Sequence, residues 1–127
     1  MSKYNLFIIF FQSFYRKALG AFLVYDITKR ESFLKLKETI EVLREKAEPD
    51  CVMFLIGNKY DLVIDNPNLR QVTVEEAKQW ASKEKMNFME TSALLGYKVT
   101  EAFELLAECI FLHIIYIFII KLHANRN

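Results

Sequence analysis

Cys51-Val-Met-Phe-Leu-Ile56 is a run of six apolar residues. Glu48-Pro49-Asp50 precedes the run and Gly57 follows it, so turn residues bound it on both sides. A short, continuous apolar run with such boundaries is typical of a strand that is covered on both faces of a parallel sheet. Ala18-Leu-Gly-Ala-Phe-Leu-Val-Tyr25, earlier in the chain, has the same character. The two runs therefore predict two buried strands.

Amphipathic helical patterns separate these strands and close the chain. Two capping boxes, Thr28-Lys-Arg-Glu31 and Thr73-Val-Glu-Glu76, predict where the first two helices begin, and a short third strand is predicted over residues 87–90. The apolar positions with helical spacing are Phe33, Leu36, Ile40 and Leu43, then Ala77, Trp80 and Ala81, and finally Val99, Ala102, Phe103, Leu106 and Ile110. The β-α-β-α-β-α order predicts an α/β fold with a parallel sheet and right-handed crossovers.

The composition is that of one folded domain. The chain has 127 residues, of which 53% are hydrophobic and 26% charged, and a chain of this length folds without metal or disulfide support. Its net charge of +1 supplies no electrostatic footprint for nucleic acid, so we expect no nucleic-acid partner. Cys51 and Cys109 stand in apolar surroundings and predict reduced thiols in the core of a cytosolic protein.

Two of the three predicted strands run directly into unusual loops, Gly57-Asn58-Lys59-Tyr60-Asp61-Leu62 and Glu90-Thr91-Ser92-Ala93-Leu94. Ligands of open parallel sheets bind beyond the carboxyl ends of the strands, where these loops lie. The loops resemble the guanine-specificity loops of the Ras superfamily of small GTPases, namely the Asn-Lys-x-Asp box and the Ser-Ala loop. From Phe14-Tyr-Arg-Lys-Ala18 through Tyr25-Asp-Ile-Thr28 to Phe103, the sequence is most similar to the Rab branch. The resemblance implies a P-loop-NTPase-like fold, here truncated to its last three strand-helix units.

The first loop carries the residues that would read the base. A carboxylate only accepts hydrogen bonds, so Asp61 can take two from the ring N–H and the amino group of guanine, whereas adenine presents the wrong edge. Asn58 suits the far edge of the base and can tie the two loops together. The four-carbon stem of Lys59 can lie along the base and ribose while its ammonium stays in water.

The second loop brings its backbone to the base. Ser92 and Ala93 are small, the Ala93 N–H is suited to donate to the guanine carbonyl oxygen, and the Ser92 hydroxyl can orient Asp61. Family members often have Lys after the Ser-Ala pair, where this chain has Leu94. The alternative is a chance match, because Asn-Lys-x-Asp is a common loop composition. The position of both loops at strand ends favours the guanine site.

Other polar residues are interpreted without a site role. Asp26 and Thr28 are expected to cap a helix. His113 and His123 are isolated from any carboxylate or cysteine partner, and Trp80 is expected in the core.

The 127 residues show no phosphate-binding machinery. A P-loop needs Gly-x-x-x-x-Gly-Lys-Ser/Thr, and none of Gly20, Gly57 and Gly96 begins that motif. Residues 6–11 stand where resembling proteins carry Asp-Thr-Ala-Gly-Gln. The family implies GTP or GDP with Mg²⁺, but the Mg²⁺ ligands are absent here and no catalytic residue is assigned. We therefore expect binding to be weak and guanine-selective, and leave open whether the chain is an enzyme. The alternative is a truncated, nucleotide-free remnant or interaction module.

The ends of the chain differ from the rest. We divide it into a divergent apolar segment (1–13), the second half of a Rab-like domain (14–108), and an apolar helix extension with a short polar tail (109–127). Residues 6–11 are a candidate cover for the exposed edge of the first long strand. The alternative is that both ends of the chain come from a damaged or misassembled gene and have no selected structure. The chain shows no prenylation motif, so residues 109–120 predict either self-association or membrane contact. The family role implies vesicle trafficking, effector or regulator proteins, and a cytoplasmic location, peripheral on endomembranes.

Overall fold

A four-stranded sheet with strand order β1-β2-β3-β4 forms the centre of the protein. The computed structural model describes residues 6–10, 18–46 and 51–125. Its strands are β1 (Leu6–Phe10), β2 (Ala18–Asp26), β3 (Val52–Asn58) and β4 (Asn87–Glu90). Strands β2, β3 and β4 are parallel, as the sequence predicts, and their carboxyl ends meet at one edge of the sheet.

Strand β1 covers the free edge of β2. Leu6 faces Leu23 and Ile9 faces Gly20, and the pairing is antiparallel, with an irregularity between Ile9 and Phe10. The predicted cover is therefore confirmed for residues 6–10, while residue 11 lies outside the described residues. The predicted parallel strands therefore have a fourth, antiparallel strand at the edge, whose direction the sequence does not predict. Pairing removes the row of unsatisfied backbone groups that an uncovered hydrophobic strand exposes.

Four α-helices connect or follow the strands. They are α1 (Arg30–Lys46), α2 (Tyr60–Asp65), α3 (Val74–Lys83) and α4 (Val99–Asn125), with a 3₁₀ turn at Pro67–Leu69. The sequence analysis places no helix between β3 and α3, so α2 is an addition to the predicted order. Lys59 stands in the left-handed region at φ 72°, which turns the chain from β3 directly into α2.

The core has two halves, one on each face of the sheet. On one face, α1 and α3 contribute every apolar position that was predicted for them, and these pack around the buried Tyr25 and Leu55. On the other face, Ala102, Leu106 and Ile110 of α4 pack against β2 and β3. The predicted α4 face needs two corrections. Val99 is only half-buried, and Phe103 is 50% exposed, with its ring edge-on to Phe22 at 4.8 Å between centroids.

The two predicted capping boxes have different outcomes. At α3 the Thr73 hydroxyl accepts from the Glu76 N–H at 3.1 Å, as expected. At α1 the prediction is wrong, because the helix begins at Arg30 and the Thr28 hydroxyl donates to Asp26 Oδ1 at 2.6 Å instead. A carboxylate two residues earlier captures both donors of Thr28 and forms a local turn that competes with the helix cap.

The terminal helix α4 is the longest helix that the structure describes. It has 27 residues, and the buried residues that it packs on the sheet, Ala102, Leu106 and Ile110, lie in its first three turns. Within the described part of the chain, no helix meets the length and hydropathy that a membrane crossing requires. Cys109, where α4 leaves the sheet, is half-buried, as is Cys51 before β3. Both thiols therefore lie at the margin of the core rather than inside it.

Candidate functional site

Backbone hydrogen bonds hold the strand-end loops together. The Thr91 N–H donates to Gly57 O at 2.8 Å, and the Tyr60 N–H donates to Thr91 O at 3.0 Å. On the other side, the Ile27 N–H donates to Asn58 O at 3.1 Å. The segments that follow β2, β3 and β4 therefore form one connected surface at the carboxyl edge of the sheet. This is the edge at which parallel sheets bind ligands.

Asn58 ties the two predicted loops together, as the sequence suggests. Its Oδ1 accepts from the Ala93 N–H at 3.0 Å and from the Thr91 hydroxyl at 3.2 Å. Asn58 is half-buried and Thr91 is buried, so these bonds are partly shielded from water. One consequence differs from the expectation. The Ala93 N–H, which was expected to face a ligand carbonyl, already has a partner within the chain.

Asp61 lies on α2 and is oriented by Ser92. The Ser92 hydroxyl donates to Asp61 Oδ1 at 2.8 Å, and its oxygen also accepts from the Leu95 N–H at 3.1 Å. Ser92 is fully buried, so its hydroxyl is fixed by these two partners. Asp61 Oδ2 makes no hydrogen bond to any residue that the structure describes. The carboxylate is therefore held in place with one oxygen available as an acceptor.

Lys59 forms an ion pair with Asp26, which stands at the end of β2. The Lys59 Nζ lies 2.8 Å from Asp26 Oδ2, with the ammonium side chain half-exposed and the carboxylate buried. Burial alone would raise the pKa of Asp26, but Lys59 and the two hydrogen bonds from Thr28 outweigh it and hold that pKa below its usual range. Asp26 is thus a charged, buried partner of the Asn-Lys-x-Asp box.

The loop after Ser92 is a tight turn closed on itself. Ser92 and Tyr97 exchange backbone hydrogen bonds, and the Tyr97 ring stacks on Tyr60 with centroids 5.1 Å apart. Gly96, at φ 71°, supplies the left-handed conformation within the turn. Leu94 projects into solvent with 81% of its surface exposed. It is therefore not packed into the core of the loop.

A cavity of about 430 Å³ adjoins the loops, between the sheet and the start of α4. Asn58, Lys59, Thr91 and Ala93 line its polar end. Its apolar walls are Phe22, Val24, Ile56, Val99, Ala102 and Phe103. Asp61 is not among the residues that line it.

The sequence profile of the Ras family matches residues 5–112 of the chain. The chain belongs to the Ras family. It is 50% identical over 91 residues to the Ras-related protein Rab11A of Lotus japonicus and 47% identical over 98 residues to the putative Ras-related protein RABA4e of Arabidopsis thaliana. These segments cover 72% and 77% of this chain, and 38% and 53% of the two relatives. The GTP-binding protein ypt3 of Schizosaccharomyces pombe is 44% identical over 92 residues, which cover 72% of this chain and 41% of that relative.

These relatives place the Ras-family chain in the Rab branch. The chain spans about half, or less, of the length of the curated relatives that it matches. Its matched part contains both loops that the sequence singles out. The predicted small-GTPase fold and Rab resemblance are therefore confirmed.

Two residues of this Rab-like site were missed by sequence reasoning. Asp26 was interpreted as a helix cap, and the structure makes it the partner of Lys59. The sequence pattern suggests no role for Thr91, but its hydroxyl donates a hydrogen bond to Asn58 Oδ1. The signal that selects Asn58 and Ser92, a polar residue at the carboxyl end of a buried strand, applies equally to Asp26.

A residue outside both loops also holds the start of the second loop in place. Arg70 donates to both carboxylate oxygens of Glu90, the last residue of β4, at 2.6 and 2.9 Å. Hydrogen bonding to Glu90 raises the pKa of Arg70, and both side chains are largely buried. A partly buried, bidentate pair of this kind fixes geometry as well as charge. It holds the strand end from which Thr91 and Ser92 project.

A magnesium ion, which the family implies, finds no place among the described residues. Nowhere in that part of the chain do three or more His, Cys, Asp or Glu side chains gather so that they could hold a metal ion. Asp61 and Asp26, the carboxylates of the site, are committed to Ser92 and Lys59. Among the described residues, neither carboxylate belongs to a group of three such side chains.

Proposed function

We propose that this Rab-like chain binds guanine nucleotides through its two strand-end loops, weakly and with selection for the base. The residues that would carry the site are Asn58, Lys59, Asp61, Ser92, Ala93 and Leu94. The observation that carries the proposal is the Ser92 to Asp61 hydrogen bond, because it holds a carboxylate with one oxygen free to accept. A pure acceptor at that position favours the ring N–H and amino group of guanine over adenine.

The other residues would support the base in different ways. Lys59 is held by Asp26, so its stem has a fixed course beside the loop and can pack on a flat base. The Ala93 N–H can donate to the guanine carbonyl oxygen once it parts from Asn58 Oδ1. Exchange of one hydrogen bond for another costs little when both partners are satisfied afterwards. Leu94 would stay at the rim, since it is exposed.

The affinity is expected to be low because the base supplies selectivity, whereas phosphate and Mg²⁺ contacts supply much of the binding in GTPases. No catalytic residue is proposed, and no step of GTP hydrolysis is derived for this chain. In this proposal residues 14–108 act as the nucleotide-binding half of a Rab-like domain. Residues 1–13 and 109–127 act as additions to it.

The cellular role follows the relatives, as part of the same proposal. One relative is named a GTP-binding protein, and the Rab names are typical of vesicle trafficking. We propose a cytoplasmic protein, peripheral on endomembranes, with effector or regulator proteins as partners.

Titration of the full chain with fluorescent GDP and fluorescent ADP tests the proposed function. We expect GDP to bind at least about tenfold more tightly than ADP, as one mismatched hydrogen-bond pair commonly produces. Asp61→Asn should remove the preference, because the new amide turns a donor toward the donors of guanine. The matched control is Asp65→Asn, an exposed carboxylate at the end of the same helix. Equal affinities, or nanomolar binding of either nucleotide, would contradict the proposal.

A nucleotide-free interaction module is the second candidate. It is favoured by one observation, namely that the Ala93 N–H and the Lys59 ammonium both have partners inside the chain. These two groups are therefore satisfied without a ligand. A folded chain that binds neither nucleotide in the titration would support this candidate over the first.

A further inference from the structure

The cavity between the sheet and the start of α4 has the size of a small-molecule site. Its volume of about 430 Å³ lies within the range of about 300–1,000 Å³ in which pockets enclose small organic ligands. Three of the apolar side chains that line it, Val24, Val99 and Phe103, are only partly buried. An apolar molecule in the cavity would remove more of their surface from water, which favours binding.

Aromatic rings form one wall of this cavity. Phe22 and Phe103 both line it, and their rings meet edge-on with centroids 4.8 Å apart. Phe22 is buried, whereas Phe103 is 50% exposed. Aromatic rings in contact gain more than the burial of their area alone provides. An aromatic ligand can therefore extend the existing pair.

The polar end of the cavity has a hydrogen-bond donor to spare. Asn58 Oδ1 accepts from the Ala93 N–H and from the Thr91 hydroxyl, which fixes the orientation of the amide. The Asn58 Nδ2 group carries two N–H bonds and donates to no residue that the structure describes. A ligand with a hydrogen-bond acceptor at one end would satisfy this group.

The charge at the polar end is balanced. Lys59 lines the cavity, and its Nζ lies 2.8 Å from the buried carboxylate of Asp26. Lys59 is the one charged side chain among the described residues that line the cavity. An anionic ligand would lie near Asp26 as well as Lys59, and it would lose its hydration between apolar walls. The balance of charge therefore favours an uncharged ligand.

We propose that the cavity binds an uncharged aromatic molecule with one hydrogen-bond acceptor, of the class of an aryl ketone. The aromatic body lies against Phe103 and Val99, and the ketone oxygen accepts from Asn58 Nδ2. This site is separate from the proposed reading of guanine by Asp61, which does not line the cavity. Its test uses no nucleotide, so either proposal can fail without the other.

NMR titration of the full chain with 2-acetylnaphthalene and 2-ethylnaphthalene tests the proposal. The two probes share one aromatic body and differ in a single carbonyl oxygen. Both should shift the methyl signals of Val24, Ile56 and Val99, and only the ketone should shift the side-chain amide signals of Asn58. We expect the ketone to bind about five- to tenfold more tightly, as one added hydrogen bond commonly produces. Equal affinities, or shifts that lie away from the cavity, would overturn the proposal.

A variant that fills the cavity supplies a second measurement. Val24→Phe places a larger side chain at a half-buried lining position and should weaken binding of the ketone by at least about tenfold. The matched control is Val42→Phe, the same change at an exposed position of α1. Equal affinities of the two variants for the ketone would overturn the proposal.

A third variant removes a lining side chain instead of adding one. Phe103→Ala, at a half-exposed position, should weaken both probes by a similar factor, because it takes away aromatic contact and leaves Asn58 in place. It keeps the proposal testable if Val24→Phe does not fold. Unchanged binding of both probes in Phe103→Ala would contradict the proposed position of the aromatic body.

Discussion

Removal of the Ser92 hydroxyl is expected to loosen the site and destabilise the fold together. Ser92→Ala eliminates two hydrogen bonds, the 2.8 Å bond to Asp61 Oδ1 and the 3.1 Å bond from the Leu95 N–H. A bond to a charged group contributes about 1.5–3 kcal/mol, and a neutral one about 1 kcal/mol. Because Asp61 is only partly buried, the lower part of the first range applies. The variant should lose about 2–3 kcal/mol of the free energy of unfolding.

Urea unfolding followed by circular dichroism measures this loss. The matched control is Ser82→Ala, which removes the same hydroxyl from an exposed position of α3. A surface change of that kind should stay within about 0.5 kcal/mol of the parent chain. A Ser92→Ala variant as stable as the Ser82→Ala control would refute the reasoning. It would show that the Ser92 hydroxyl does not hold Asp61.

Three further outcomes follow from the same geometry. Gly57→Ala should destabilise the fold by about 1–3 kcal/mol in urea unfolding, because a Cβ there would lie 2.7 Å from the hydroxyl of the buried Tyr25. Asp26→Asn should destabilise the chain at neutral pH by removing the partner of Lys59. Since the pKa of Asp26 is lowered on folding, that difference should persist above its ordinary value of 3.8 and shrink as the pH falls below it. Phosphate release from GTP should be undetectable in the purified chain, and turnover at the rate of ordinary small GTPases, about 10⁻⁴ per second or faster, would contradict this.

Much of the fold was predictable because buried strands and amphipathic helices repeat simple patterns. The run of apolar residues in β3 and the helical stripe in α1 depend on periodicity alone, and both predictions are confirmed. The antiparallel pairing of β1 was not predictable. A short apolar run shows that a strand needs cover, but it carries no information on direction or register.

Competition among polar groups explains why Thr28 does not cap α1 and why the Ala93 N–H has a partner within the chain. Thr28 satisfies a helix-capping pattern, yet Asp26 accepts both of its donors at shorter range. The sequence suggests that the Ala93 N–H donates to a ligand, whereas in the structure it donates to Asn58 Oδ1. A sequence shows which donors and acceptors are present, but only the folded geometry decides which pairs form.

The incomplete burial of Phe103 was also not predictable from the sequence. Its position has helical spacing with Ala102 and Leu106, yet the residue is 50% exposed. It stands at the rim of the cavity beside Phe22, with no further element in the described structure to cover it. Spacing predicts the side of a helix on which a residue lies, and not how far the neighbouring layer extends.

Backbone amide shifts during titration with guanosine and adenosine monophosphates test the central claim most directly, because they report where a ligand contacts the chain. The account predicts that the guanine nucleotide shifts the amides of residues 58–61 and 91–95, with Ala93 among the largest changes as its N–H leaves Asn58. The adenine nucleotide should leave these amides in place at equal concentration. Shifts that are equal for the two nucleotides, or that lie away from both loops, would contradict a guanine-reading site.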